Sequence, residues 1–289
     1  MRNVKVAAVQ MTCNNGYENN LTKAKNMIIE AINNGANVIL LPELFEREYF
    51  CQERRYEYYS YAQSANDNVA IKMALELSLK YNVVIPVSFY EKDNNNLYNS
   101  IACVDNGKIL GIYRKTHIPD DHFYQEKFYF TPSNTGFKVF DTSFGKIGIG
   151  ICWDQWFPET ARCLVLDGAE LLLYPTAIGS EPILEVESYN HWRRVMQGHA
   201  AANIVPVVAA NRIGSERVIP CKENNYQDSK LVFYGKTFMC DETGDIIKSL
   251  DYEEAIIYHT YNLDDINEKR LSWGLFRDRQ PNAYHKIID

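Results

Sequence analysis

A carboxylate, an ammonium and a thiol each follow an apolar stretch in this chain: Glu43 after NVILLP, Lys115 after the run that ends in YR, and Cys152 after KIGIGI. A thiol attacks as a nucleophile when a base takes its proton and donors hold the negative charge that develops on the attacked oxygen, so the three groups together could supply covalent catalysis. Residues 146–151 alternate Gly with β-branched Ile, as a buried strand does, and Phe157-Pro158-Glu159 reads as the first turn of a helix. Cys152 is therefore expected at a strand-to-helix elbow, where the backbone N–H groups that follow favour a thiolate and can hold an oxyanion. Taken singly, Glu43 reads equally as a helix cap, Lys115 as one of 30 Lys and Arg side chains, and Cys152 as a small core hydrophobe. Their shared position favours catalysis: if the strands lie in one sheet with the same sense, the side chains converge at one edge, where α/β proteins commonly place their sites.

The elements that must position them follow from periodicity. Strands are expected over 4–10 and 37–41, separated by a helix over 19–34 whose Leu21, Ala24, Met27, Ile28, Ala31 and Ile32 recur at helical spacing before Gly35. A helix over 66–81, a strand over 83–90 and a hairpin over 96–104 and 108–113 around Asp105-Asn106-Gly107 come next. Residues 116–136 have neither period, and a loop of that length with five aromatic rings reads as ordered and functional. Beyond Cys152 the pattern predicts helices over 158–167 and 188–203, strands over 169–174 and 205–210, and a polar surface loop over 214–229. Strand-like stretches over 231–240, 245–248 and 255–261 and a short helix over 263–271 complete it. Helices alternating with fully apolar and hairpin-linked strands predict an α/β layered fold with a mixed sheet, and residues 1–289 are expected to form one domain.

Composition narrows the function. A net charge of −7 argues against a nucleic-acid partner, which proteins usually meet with a basic patch, and suits a cationic small ligand. The seven cysteines are scattered, with no C-x-x-C pair and no His at metal-ligand spacing, and read as reduced thiols; no metal is expected. No apolar run reaches membrane-spanning length, and Met1-Arg2-Asn3 leads straight into the first strand, which predicts a cytoplasmic location without membrane association. His117, His122 and His199 lack partners at ligand spacing and read as surface or core residues.

L-P-E-L-F at 41–45, Y-R-K-T-H at 113–117 and G-I-C-W-D at 150–154 resemble the nitrilase superfamily of carbon–nitrogen hydrolases, and the likeness runs from VAAVQM to WGLFRDRQP. Six longer blocks, among them YQEKFYF and HWRRVMQGHAAANIVPVVAANRIG, resemble the branch that hydrolyses N-carbamoylputrescine. The resemblance implies Cys152 as nucleophile, Glu43 as general base and acid, Lys115 as oxyanion donor beside the Trp153 N–H, and Glu126 as a second glutamate that positions Lys115 or accepts carbamoyl N–H groups. It implies a four-layer α-β-β-α sandwich, a homo-oligomer built from dimers with a C-terminal tail over 272–289 at the interface, and no organic cofactor or metal. The substrate would be a cationic ureido compound, its ammonium held by Glu181 with Tyr49, Tyr124 and Trp153 as aromatic walls. An enzyme on carbamoyl-β-amino acids or aliphatic amides, or an idle binding subunit, are the rival readings. Asp120-Asp121-His122-Phe123 departs from the Gly-containing run expected of relatives, and Arg193 and Arg194 read as a packing or subunit-contact face.

Overall fold

The computed structural model describes residues 1–121, 123–180 and 187–287; Glu181 and His122 lie outside the described residues. The chain opens with β1 (Asn3–Gln10), α1 (Tyr17–Asn33) and β2 (Val38–Leu40), and α2 (Val69–Tyr81) leads into the meander β3 (Ile85–Asp93), β4 (Asn96–Asp105) and β5 (Lys108–Arg114). Short strands β6 (Asp120–Asp121) and β7 (Tyr124–Gln125) fold the next segment back on itself before β8 (Val139–Thr142) and β9 (Gly145–Ile149). Then come α3 (Pro158–Leu166), β10 (Leu171–Thr176), β11 (Gly179–Ser180), α4 (Tyr189–Asn203) and β12 (Val207–Asn211). The last part holds β13 (Ile213–Val218), β14 (Ser229–Tyr234), β15 (Phe238–Cys240), β16 (Ile246–Ser249), β17 (Ala255–Asn262) and α5 (Leu263–Trp273).

Two sheets result. The ladder β17-β1-β2 joins the meander β3-β4-β5 through a parallel bridge between Val38 and Val84, and β16-β15-β12-β10-β9-β8 form the second. β1 pairs parallel with β2, and β10 runs parallel to both β9 and β12, each fully apolar strand having its two faces covered. Three apolar clusters fill the three spaces between four layers. Leu21, Ala24 and Ile28 of α1 and Ala70, Ile71 and Ala74 of α2 pack on Ala7, Val9 and Ile39 of the first sheet. Val6, Ala8, Leu40 and Ile101 meet Ile147, Ile149, Leu173 and Val208 between the sheets. Ala161 and Leu164 of α3 and Trp192 and Met196 of α4 cover Leu172, Val207 and Ala209 on the far face. This is the α-β-β-α sandwich, and each fully buried Leu, Ile or Val in it contributes about 1.5–3 kcal/mol relative to exposure.

Three expectations are corrected. The strands divide between two facing sheets, so Glu43 and Lys115 leave one sheet and Cys152 the other. Residues 214–229 are not all loop: β13 takes 213–218, where buried Glu216 and Val218 alternate with exposed Ser215 and Arg217, a pattern that the polar side chains disguise. The stretch 231–240 is two strands, because Gly235 (φ 61°) and Lys236 (φ 53°) turn the chain through left-handed conformations between β14 and β15. The described residues of 116–136 pack against the body of the protein, with Tyr129 and Phe130 in a fourth cluster beside Tyr49, Phe50 and Tyr90. No helix among the described residues is long and apolar enough to cross a membrane.

Candidate active site

Glu43 lies just past β2, Lys115 just past β5, and Cys152 three residues past β9. Lys115 and Glu43 are almost wholly buried. The Lys115 Nζ donates to Glu43 Oε1 at 2.8 Å and to Glu126 Oε2 at 2.6 Å, so one ammonium is held between two carboxylates. Tyr49 OH donates to Glu126 Oε1 at 2.6 Å, and both oxygens of Glu126 are thereby committed to fixing Lys115 and Tyr49. Burial works against the Lys115 charge, but Glu126 and Glu43 outweigh it and hold its pKa well above the usual lysine range. Burial pushes Glu126 up to about 7, with Lys115 opposing the rise.

The thiol reaches this cluster from the other sheet. Cys152 Sγ lies 3.9 Å from the Ala177 carbonyl, while the Glu43 N–H reaches the carbonyl of neighbouring Thr176 at 3.4 Å, so the two residues meet consecutive peptides past the end of β10. Its backbone is at φ 41°, a left-handed conformation costly for a side chain with a Cβ and characteristic of strained nucleophile elbows. Asp154 pins that elbow. Its carboxylate accepts from the Ile151 N–H (2.9 Å) and Tyr113 OH (2.7 Å) on one oxygen and from the His117 N–H (3.0 Å) on the other, which also lies 2.8 Å from His117 Nδ1. Tyr113 and His117 flank Lys115 by two residues, so Asp154 sets the cysteine turn against the lysine strand. The glycines before it are steric necessities: a Cβ on Gly150 would stand 2.7 Å from the Tyr174 ring, and one on Gly148 2.9 Å from Leu172.

Burial, reinforced by the Glu43 carboxylate, pushes the Cys152 thiol well above its ordinary value against the pull of Lys115. This corrects the expectation of a thiolate favoured by the elbow: the resting group is a neutral thiol that needs a base. Glu43 Oε2 is buried and accepts no hydrogen bond among the described residues, while Oε1 takes both Lys115 Nζ and Asn99 Nδ2. Arg212, fully buried at the end of β12, donates to the carbonyls of Glu43 (2.9 Å) and Leu44 (2.8 Å) and pairs with Glu216. It holds the Glu43 peptide in place, with Leu44 at φ 47°.

The carbon–nitrogen hydrolase pattern matches residues 5–271. The chain belongs to that family. This carbon–nitrogen hydrolase is 50% identical to N-carbamoylputrescine amidase of Arabidopsis thaliana over 99% of the chain and 96% of the relative. It is 48% identical to a citrullinase of Francisella tularensis over 100% and 99%. Its fold superimposes on the crystal structure of a carbon–nitrogen hydrolase from Helicobacter pylori with a TM-score of 0.91 at 32% identity, covering 99% of both chains. The protein is thus a hydrolase of carbon–nitrogen bonds with the nitrilase fold.

Within this hydrolase the structure brings Glu43, Lys115, Glu126, Tyr49 and Cys152 together. Tyr49 is not an open aromatic wall, since its hydroxyl is spent on Glu126 and burial keeps the phenol neutral. The Tyr124 hydroxyl accepts the Gly179 N–H at 3.0 Å and so ties the β6–β7 hairpin to the segment that follows Ala177. Trp153 is 40% exposed, beside Cys152. His117 stacks on Phe157 with centroids 3.6 Å apart, and buried His199 meets the Gln155 carbonyl at 2.6 Å, so both histidines support the elbow. Sequence reasoning missed Asn99, Asp154 and Arg212. No local signal marks them: Asn99 precedes Ser100, Asp154 precedes Gln155 and Arg212 follows Asn211, so none of the three stands alone in an apolar run.

Proposed function

We propose that the chain, working as one catalytic unit over 1–289, hydrolyses N-carbamoylputrescine to putrescine, carbon dioxide and ammonia. The observation that carries the chemistry is the buried ammonium of Lys115 clamped by Glu43 and Glu126 beside a neutral Cys152 thiol. Cys152 attacks the ureido carbon while Glu43 takes the thiol proton, and Lys115 with the Trp153 N–H stabilises the tetrahedral oxyanion. Glu43 returns the proton to the departing amine of putrescine, leaving a carbamoyl thioester on sulfur. Water, deprotonated by Glu43, attacks the thioester; the thiol leaves with its proton, and carbamic acid breaks down to carbon dioxide and ammonia. The kinship with the Arabidopsis amidase over essentially the whole chain supports this substrate. Glu181 would hold the distal ammonium. Self-association through the faces of α3 and α4 fits the apolar cleft, about 1300 Å³, that α3, α4 and the C-terminal segment line with Leu166, Val195, Leu275 and Ile287.

The kinship with a citrullinase supports a second reading, L-citrulline, which carries the same terminal ureido group and a distal ammonium and adds a carboxylate. Ammonia release from N-carbamoylputrescine, L-citrulline and N-carbamoyl-β-alanine at equal concentration, with the Cys152→Ala protein as blank, separates them. Preference for N-carbamoylputrescine is expected. Preference for citrulline would replace the substrate and keep the chemistry, and preference for the anionic β-alanine compound would remove Glu181 from its role.

A further inference from the structure

Asn99 sits on β4, the central strand of its meander, 1% exposed and paired on one side with Tyr90 of β3. It reaches two members of the site at once. Its carbonyl accepts the Lys115 N–H at 2.8 Å, and its side-chain Nδ2 donates to Glu43 Oε1 at 2.7 Å. That oxygen also accepts from Lys115 Nζ, so it carries two donors while Oε2, equally buried, carries none. An amide turned the other way would set its own oxygen against the carboxylate, so the donor must face Glu43. A neutral donor is also what the electrostatics call for. Two carboxylates here share one ammonium, and a second cation would weaken the base that must take a thiol proton.

We propose that Asn99 is a positioning residue for the general base: by engaging Oε1 from the side opposite chemistry, it leaves Oε2 as the oxygen that receives the Cys152 proton. The inference rests on the reading of Glu43 as base. The other titratable and charged groups that act on Glu43 are Lys115, Glu126, Tyr49, Cys51, Cys152 and Arg212, and all are untouched by a change at position 99.

The test needs no substrate. Iodoacetamide alkylates Cys152 as the Sγ–C bond forms, iodide departs and the thiol proton passes to Glu43; peptide mapping separates this cysteine from the other six. The rate is followed against pH for wild type, Asn99→Ala and Asn99→Asp, with melting temperatures recorded alongside. Losing a hydrogen bond to a charged group disfavours the ionised base, so the acid limb of the Asn99→Ala profile is expected to move up by about one pH unit. Its plateau is expected to fall about tenfold as the carboxylate loses its alignment. Asn99→Asp, of the same volume, faces Glu43 with a second carboxylate and moves the limb further, which keeps the test decisive if the alanine variant does not fold. An unmoved limb in both variants, whether the rates superimpose or fall equally at every pH, overturns the proposal and leaves Glu43 and Cys152 in their roles. Failure of wild-type Cys152 to react at any pH overturns the nucleophile reading itself.

Discussion

Glu46, three residues beyond Glu43, is 7% exposed, and the only side-chain donor to its carboxylate among the described residues is Asn68 Nδ2, 3.0 Å from Oε1. Burial pushes its carboxyl up to about 7 from an ordinary 4.5, against the Asn68 hydrogen bond and the charge of Arg47. The folded chain therefore binds this proton more tightly than the unfolded chain. Between pH 4.5 and 7 the native state holds more protons, so stability falls as pH rises through that window and the full penalty is present above it. The gap, at about 1.4 kcal/mol per pH unit, corresponds to about 3 kcal/mol. Glu46→Gln keeps the acceptor for Asn68 and removes the charge. Urea unfolding followed by the fluorescence of the four tryptophans should find the two proteins alike near pH 4 and the variant more stable by about 2–3 kcal/mol at pH 8. Contributions from Glu126 and the other buried acids are common to both proteins and cancel in the difference. A difference that does not change with pH, or a variant less stable at pH 8, refutes the reasoning.

Two further outcomes follow from the elbow. Gly150→Ala places a methyl group 2.7 Å from the Tyr174 ring and should destabilise by about 1–3 kcal/mol, read as a drop of several degrees in Tm; an unchanged melting curve would show that the ring yields freely. Asp154→Asn weakens the grip on the Ile151 N–H, the Tyr113 hydroxyl and His117 together, and should lower kcat about 10- to 100-fold with little change in KM. Equal activity would mean that the cysteine turn holds its shape without that charge.

Glu43 and Cys152 stood out as candidates because each breaks a strong local pattern: a carboxylate ends NVILLP, and a thiol ends a Gly-Ile alternation that only a tightly packed strand requires. The helices were legible for the same reason, since Leu21, Ala24, Ile28 and Ala31 recur at the spacing that buries one face of α1. What periodicity does not encode is which sheet a strand joins. β2 and β9 look alike as apolar runs, yet they lie in different layers, and the difference resides in pairings such as Val38 with Val84 and Leu171 with Ile147 that only the folded chain makes. The supporting residues were hidden by distance along the chain. Asn99 meets Glu43 across 56 positions and Arg212 meets it across 169, and nothing local to either site announces the partner. β13 was hidden by chemistry, because its buried Glu216 is satisfied by Arg212 and by the Tyr49 N–H and so needs no apolar side chain.

Because Glu43 and Lys115 leave one sheet and Cys152 the other, neither half of the sandwich holds all three groups. During synthesis Glu43 and Lys115 emerge well before Cys152, and Arg212, which locks the peptide of Glu43, emerges later still. The first sheet is itself completed only when β17, near the end of the chain, pairs with β1, so the surroundings of all three groups are finished late. Closure of the two sheets on Val6, Ala8, Ile147 and Ile149 is what brings Cys152 to Glu43 and Lys115. If Cys152 is the nucleophile, an unfinished or partly unfolded copy would lack the acid–ammonium pair beside its sulfur, and the fold would work as a safety catch on the chemistry.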